Sequence, residues 1–515
     1  MRQSRRFSGP TLPIWFLPVF LGLAILWPAP LPAGKLRQVC VVQTTDIHAH
    51  LGHEAGEVGW LQVATVVEEQ SGRWGRHRTL LVDCGDTCQG TLTGVLSRGR
   101  VGTDALRFMG YDVWVPGNHE FDFGNRGFMD LVGLAGPMVI CGNVRVACDG
   151  RELRMPLWRS FERNGVRIAV IGLTARRLPW WFWGGEYGEL EVMDSVELLR
   201  QELPLILAAE PDLIVLATHQ GAVRNAGRDV NEVLRIVDEF PQIDLVLGGH
   251  THRPVAGERL GPGTWYVQAG AHGEWVAVVV VTVDVDDGTV VDLDSSLIPV
   301  TPSTPRHAGL EAALEPWISQ ELEVSSRVIC DLNEPVRSRG TAGESCESSE
   351  MLCRAIADAA GVGAVLHGRL TRFSLSSGPL TEADLFRLIP YENDIVTVWV
   401  DEGALVELIE EQQGVRHTSA YCGIWGLEVW LDADDRVSRI RTADGDPFPA
   451  EGLRVALNSY TAAGAGGRFP RLAAWVRSPG SRALDTGLGT RDVLARYLRR
   501  HGTDLHVRAR CWLQR

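Results

Sequence analysis

Lysine is almost absent from this chain of 515 residues: Lys35 is the only one, and the other 49 of the 50 basic residues are arginines. Biased genomic composition accounts for that skew, and no function is read from it. Basic charge is in deficit too, with 50 Lys+Arg against 64 Asp+Glu and a formal net charge of −14. That excludes a polynucleotide binder, whose phosphate contacts need clustered cations. No internal repeat is visible, and after the first 34 residues only strand-like apolar runs such as 276–283 occur, which excludes a multi-span membrane protein. Cysteine is sparse, with ten in the chain, too few for a disulfide-built scaffold of this length. What is present is ordinary globular composition, 45% apolar and 22% charged. A sizeable core is available, and at roughly 150 residues per domain the length fits two large domains or three ordinary ones.

Arg2, Arg5 and Arg6 precede the apolar run Ile14 to Trp27, which gives way to prolines and small residues ending Leu31-Pro32-Ala33. This layout predicts a signal peptide over 1–34 and hence an exported protein, periplasmic or extracellular. The run is too short to span a bilayer and Pro18 interrupts it, so no stable anchor is expected after cleavage. Ser4-Arg5-Arg6-Phe7 carries a faint twin-arginine signature. Among the cysteines, Cys84 and Cys88 are assigned to core packing, and Cys141 with Cys148 are the best disulfide candidates.

Short apolar runs alternate with amphipathic segments from Val39 to about Val285: Val39–Val42, Leu80–Val82, Val113–Val115, Val139–Cys141, Ile168–Ile171, Leu213–Leu216, Leu245–Leu247 and Trp275–Val283. They predict strands flanked by helices. One helix is explicit in Val230, Val233, Leu234 and Val237, at i, i+3, i+4 and i+7. Pro302-Ser303-Thr304-Pro305 breaks the pattern and marks a boundary, with a connecting helix over Leu310–Leu322. A second α/β unit follows Ile329, with helices expected at Glu350–Ala360, Glu382–Leu388 and Gly403–Gln412.

Five turns, each directly after one of the first unit's strands, carry metal-ligand residue types: Asp46-Ile47-His48, Gly85-Asp86, Gly117-Asn118-His119-Glu120-Phe121-Asp122, Thr218-His219 and Gly248-Gly249-His250-Thr251-His252. An α/β sheet gathers such turns at the carboxyl edge of its strands, where these folds bind ligands. Any single His or Asp here is a commonplace strand-end residue; five such turns in chain order are not. Carboxylates, an amide oxygen and imidazoles suit zinc, manganese, iron or cobalt rather than calcium, and the lack of thiolates disfavours a structural zinc site. A pair of ions with Asp86 as the bridging carboxylate is expected. His50, His53 and His272 are read as solvent-facing or supporting residues outside the ligand set.

The order Asp46-x-His48, Gly85-Asp86, Gly117-Asn118-His119-Glu120, His219, Gly248 and His250-x-His252 resembles the calcineurin-like metallophosphoesterase superfamily. Thr45-Asp46-Ile47-His48-Ala49-His50, Asp86-Thr87-Cys88-Gln89-Gly90-Thr91 and Asn118-His119-Glu120-Phe121-Asp122 narrow the resemblance to the 5′-nucleotidase and 2′,3′-cyclic-nucleotide 2′-phosphodiesterase family. The resemblance implies an α/β fold with an N-terminal four-layer αββα metallophosphoesterase domain (35–300) and a linker with a connecting helix (301–329). A C-terminal α/β 5′-nucleotidase-type substrate domain (330–515) follows. It implies two divalent transition metals, one held by Asp46, His48, Asp86 and His252, the other by Asp86, Asn118, His219 and His250. His119 then faces the phosphate and Asp122 orients it. The implied activity is hydrolysis of nucleotide phosphate esters by a metal-activated hydroxide, the partner being a small nucleotide or other phosphate ester. A thiosulfohydrolase on the same fold and a non-catalytic, metal-retaining binding module are the alternatives. The intact set with His119 and Asp122 argues against the second, and Asn118-His119-Glu120-Phe121-Asp122 matches the phosphatase branch better than the first.

In the second unit Ile389-Pro390-Tyr391-Glu392-Asn393 and Asn458-Ser459-Tyr460 resemble the family's two aromatic segments, which implies a nucleobase clamp of Tyr391 and Tyr460. The alternative is an amphipathic core tyrosine with its hydroxyl at the surface. His367-Gly368-Arg369-Leu370-Thr371-Arg372 departs from the family's Asn-Gly-Gly loop ending in Arg, keeping Gly368 and Arg372; Arg372, with Arg369 beside it, is the candidate for binding phosphate or ribose. Leu178-Pro179-Trp180-Trp181-Phe182-Trp183 has no counterpart in that pattern. Packing against its own domain is its plain reading, and a wall of the substrate entrance the sharper one.

Overall fold

Alternation along the first unit's strands sends successive side chains to two different cores, and this builds two stacked sheets. The computed structural model describes residues 35–514 apart from 185–186, 224–229, 262, 339–344, 368–369 and 417–420; the segment read as a signal peptide, and Arg369, lie outside the described residues. In chain order the strands of the two stacked sheets are β1 (Leu36–Thr44), β2 (Thr79–Asp83), β3 (Val113–Trp114), β4 (Trp158–Arg163), β5 (Val166–Leu173), β6 (Leu213–Thr218), β7 (Leu245–Leu247), β8 (Pro254–Leu260), β9 (Thr264–Ala269), β10 (Trp275–Asp284) and β11 (Thr289–Pro299). One sheet has the order β11-β10-β1-β2-β3 and the other β8-β9-β7-β6-β5-β4. β1, β2 and β3 run parallel, as do β5, β6, β7 and β9.

Val41 and Leu80 of the first sheet meet Val170, Val215 and Leu245 of the second in a shared core of fully buried side chains. Their neighbours point the other way, as the period of 2 requires. Val42 and Leu81 pack beneath Trp60, Leu106, Phe128 and Leu310, from the helices Trp60–Trp74, Arg100–Met109, Gly124–Ala135 and Ala308–Ser325. Ile171, Leu216 and Val246 pack beneath Leu199, Val233 and Ile236, from the helices Ser195–Ala208 and Val233–Glu239. The result is a helix-sheet-sheet-helix sandwich, each fully buried Val or Leu contributing about 1.5–3 kcal/mol. The helix Ala308–Ser325, read as a connector, docks on this unit: Leu310 and Leu314 are fully buried and Trp317 Nε1 donates to Asp104 Oδ2 at 3.1 Å.

Three expectations are corrected. The run Val139–Cys141 makes a single bridge, Val139 to Trp114, because after Ile140 N–H, which donates to the Trp114 carbonyl at 3.1 Å, the N–H groups of Cys141 and Gly142 turn to the carbonyls of Pro156 and Gly172, each at 3.0 Å. The helix read from Val230 starts at Val233, since Glu232 N–H donates to Gln220 Oε1 at 2.5 Å and Asn231 Oδ1 accepts from Gly221 N–H at 2.7 Å. Cys141 and Cys148 are free thiols; Cys141 is fully buried with its thiol toward Asn143 Oδ1.

In the C-terminal unit, β12 (Ala364–Leu366), β13 (Asp394–Val400), β14 (Leu453–Asn458) and β15 (Leu484–Gly489) form a sheet of order β12-β14-β13-β15. β13 and β14 are antiparallel with Ile395 opposite Asn458. Tyr391, just before β13, and Tyr460, just after β14, therefore emerge at one end of the sheet. Asn393 joins them: its Oδ1 accepts from Tyr460 N–H at 3.2 Å and its Nδ2 donates to the Tyr391 carbonyl at 3.3 Å.

The tryptophan loop crosses to this unit. Trp180 and Trp181 lie against Gly466 and Gly467, and Gly466 N–H donates to the Trp180 carbonyl at 3.3 Å. Trp183 packs on the C-terminal core, whereas Trp181 and Phe182 pack on the N-terminal one. A Cβ at Gly467 would stand 2.3 Å from the Trp180 ring, and its φ of 78° already favours glycine. Gly467→Ala is therefore expected to destabilise the chain by about 1–3 kcal/mol, read by urea denaturation, and adding Trp180→Ala should return the part due to overlap.

Candidate metal centre

The five turns close over the aligned carboxyl ends of both sheets. Asp46 and His48 follow β1, Asp86 follows β2 and Asn118 follows β3, while His219 follows β6 and His250 and His252 follow β7. Two groups of donor atoms result, Asp46, His48, Asp86 and His252, and Asp86, His219 and His250, within each of which the atoms lie inside 4.8 Å of one another. Asp86 belongs to both. His48 Nε2 and His252 Nε2 are 3.0 Å apart, as are His219 Nε2 and Asp86 Oδ2, close to the ~3.3 Å expected between two ligands on one tetrahedral ion.

Backbone conformation sets these positions. Asp46 (φ 54°), His48 (54°), Asp86 (52°), His250 (70°) and His252 (56°) are all left-handed, at about 1–3 kcal/mol each for a non-glycine residue. Fixed partners hold the rings: His48 Nδ1 meets the Gln89 carbonyl at 2.9 Å and His219 Nδ1 the Cys84 carbonyl at 2.6 Å, which turns each Nε2 inward. Thr45 Oγ1 donates to Asp46 Oδ2 at 2.7 Å.

Beneath the candidate donors lies Glu120, which the third turn contains but to which the sequence assigned no role. Its carboxylate is fully buried and accepts four backbone N–H groups, from Gly117 (2.5 Å), Asp86 (2.9 Å), Thr87 (2.7 Å) and Cys88 (3.0 Å). The only signal was an acid three residues after a turn glycine, a spacing that suits capping of local N–H groups. Asp83, also fully buried, accepts from Thr44 Oγ1, Gly85 N–H and Thr87 Oγ1 at 2.7, 3.0 and 2.5 Å.

The residues present fit divalent cations. Asn118 Oδ1 is buried without a hydrogen-bond partner among the described residues, in an interior where such atoms are normally satisfied. A Cβ at Gly117 would fall 2.3 Å from Asp86 Oδ1 and 2.8 Å from His219 Cε1, so only glycine leaves the cradle open. Burial, with Asp86 adding to it, lifts the Asp46 carboxyl to about 7, and burial lowers His250 to about 3 and His252 to about 4. Bound cations favour the ionised carboxylate and the neutral imidazole that coordination requires.

His119 stands beside this cluster, its ring 5.2 Å from that of His48. Its Nδ1 is 2.8 Å from Asp122 Oδ2 and its N–H donates to Asp86 Oδ1 at 2.8 Å. Burial opposes charge on the ring, but the Asp122 and Asp86 carboxylates outweigh it and raise the pKa to about 9. Tyr391 stacks over His119 at 5.0 Å and 22°, while Trp181 approaches His250 edge-on at 5.5 Å. The loop with the tryptophans is thus a wall beside the metal centre. Tyr460 is half-buried, its hydroxyl accepting from Arg468 Nη1 at 2.9 Å. Arg372 is not brought into the cluster: it is exposed and makes no side-chain hydrogen bond or ion pair among the described residues.

Residues 41–254 match the calcineurin-like phosphoesterase family and residues 328–474 the 5′-nucleotidase C-terminal domain. The chain is 24% identical to the protein UshA of Escherichia coli over 519 residues, covering 90% of this chain and 92% of that one. Among solved structures, a 5′-nucleotidase precursor from Thermus thermophilus superposes with a TM-score of 0.72 at 21% identity, over 93% of this chain and 99% of the other. The sulfate thiohydrolase SoxB of Thermus thermophilus superposes at 0.65 and 18%, over 94% and 97%. Both structural likenesses speak for the fold alone. Because Glu120 ties two of the ligand turns together, Glu120→Ala is expected to cost about 3–5 kcal/mol and to lower metal content. Glu120→Gln, which keeps one acceptor oxygen, should lose less, as read by urea denaturation and elemental analysis.

Proposed function

The chain belongs to the calcineurin-like phosphoesterases that carry a 5′-nucleotidase C-terminal domain, and on that premise we propose that it hydrolyses a nucleotide phosphate ester, as a 5′-nucleotidase or a 2′,3′-cyclic-nucleotide phosphodiesterase. It is a metal-dependent hydrolase of phosphate ester bonds. The observation that carries the finer reading is the adjacency of three parts: a split donor set sharing Asp86, the His119–Asp122 pair and an aromatic residue of the C-terminal unit, Tyr391, stacked on that histidine. Export through residues 1–34 and maturation to an enzyme without an anchor are part of the proposal; no helix among the described residues is long and apolar enough to cross a membrane.

Two cations, when bound, would neutralise phosphoryl oxygens and lower the pKa of a water to near neutrality. Asp46, His48, Asp86 and His252 would hold one, and Asp86, Asn118, His219 and His250 the other. With Nδ1 engaged by Asp122, His119 presents Nε2 as its free donor. A proton held there stabilises charge growing on a phosphoryl oxygen and is available to the departing alkoxide. Tyr391 shields that proton from bulk water and, with Tyr460, offers aromatic faces to the base, worth about 1–3 kcal/mol per stacked base. Arg372 would reach the substrate only from the rim.

A hydrolysis panel on metal-loaded protein tests the reading: AMP, a 2′,3′-cyclic nucleotide, a UDP-sugar, bis-p-nitrophenyl phosphate and thiosulfate conjugates. Turnover of a nucleotide is the expected result; turnover confined to thiosulfate conjugates would overturn it. Elemental analysis should find two metals per chain in both the wild type and His119→Asn, while kcat of the variant falls by about 10²–10⁴. Tyr460 lies away from the metal ligands, so Tyr460→Ala should raise KM for the nucleotide and leave kcat/KM for p-nitrophenyl phosphate unchanged. Tyr391→Ala, which also uncovers His119, should reduce both.

A further inference from the structure

The turn between β9 and β10 brings a histidine to the open side of the metal centre. His272 is half-buried; its ring lies 5.5 Å from that of His252 and 5.6 Å from that of His48. One nitrogen on each of His48, His252 and His272 lies within 4.8 Å of the other two. The imidazole of His272 makes no hydrogen bond or ion pair among the described residues, and its contacts are rings: those two and His50, at 4.7 Å.

The backbone carries a second, independent indication. His272 has φ 56°, in the left-handed region occupied by Asp46, His48, Asp86, His250 and His252. Glycines on either side, Gly270 and Gly273, take the same hand at φ 76°, so glycine would be the unstrained choice between them. Its N–H donates to the Asp46 carbonyl at 2.8 Å, fixing this turn to the turn that bears two ligands. A strained L-residue, pinned to a ligand turn and aiming an unengaged imidazole at two ligand imidazoles, has the placement of a ligand itself.

We propose that His272 is a further protein ligand to the ion held by Asp46, His48, Asp86 and His252, an inference that rests on the dinuclear reading above. With it the donor set becomes three imidazoles and two carboxylates. Imidazole suits zinc, whereas manganese is better served by carboxylates and water. His272 thereby sets the metal preference of this one site toward zinc and leaves the site of Asn118, His219 and His250 untouched.

The test compares the wild type with His272→Asn and His272→Gly, both of which tolerate the left-handed backbone. Each protein is stripped with a chelator and titrated with zinc or manganese against a chromophoric chelator, and the cobalt-substituted forms are compared by visible absorption. The wild type should bind two zinc ions. In both variants one of the two should bind about 10–100-fold more weakly, with manganese affinity changed less than about threefold and with an altered cobalt spectrum. Two-site zinc binding with wild-type affinities and an unchanged cobalt spectrum in both variants would overturn the role of His272 and leave the dinuclear reading standing. A wild type that binds fewer than two zinc ions would overturn both.

Discussion

A single buried carboxylate outside the candidate donor groups ties two turns of the centre together. Glu120 gathers the N–H groups of Gly117, Asp86, Thr87 and Cys88, so the turn after β2 and the turn after β3 share one anchor. Asp86, the donor shared by two candidate groups, and the pair Asn118–His119 are thereby fixed relative to each other. Four N–H dipoles stabilise that anion where water cannot. Asp83 does the same for the start of the β2 turn through Thr44 and Thr87. With Asp46 and Asp86, the region under the site holds four buried carboxylates. Glu120 is satisfied by backbone N–H groups and Asp83 chiefly by the Thr44 and Thr87 hydroxyls, whereas Asp46 and Asp86 belong to the candidate donor groups.

Left-handed backbone recurs at the candidate donors. Five of the candidate ligands sit in the left-handed region, and the rest of the sandwich over-determines their conformations. The shared core between the sheets locks both carboxyl edges in register, and hydrogen bonds run between turns: His250 N–H to Asp46 Oδ1 and Oδ2 at 3.1 and 3.0 Å, and Asp46 N–H to the Gly85 carbonyl at 2.8 Å. A loop-only site lacks such cross-bracing. Here preorganisation comes from two rigid sheets that present their strand ends to one point, the arrangement that electrostatic catalysis requires.

Aromatic side chains then decide how the second unit meets the first. Tyr391 covers His119 from one side and Trp181 borders His250 from the other. Trp180 fills the space beside Gly467, in the segment that follows Tyr460. The tryptophan loop and the Tyr391 turn therefore border the centre on two sides.

The sequence alone determined which residue types stand at five strand ends and in what order, and hence the candidate donor set that the fold then gathers. It could do so because strand period, turn glycines and motif spacing are local, each legible within a few residues. The helices Glu382–Leu388 and Gly403–Gln412 were legible for the same reason, and appear at Glu382–Leu388 and Glu402–Gln413. Tertiary structure alone decided that the turns come from two sheets, that Glu120 is their anchor, that the tryptophan loop crosses to the other unit and that His272 faces two ligands. It also withheld a full strand from Val139–Cys141 and the first residues from the helix at Val230. Most of these outcomes depend on which distant backbone group or side chain fills a given space, such as the Asp46 carbonyl claiming the N–H of His272. Packing between segments tens to hundreds of residues apart leaves no periodic trace in the chain.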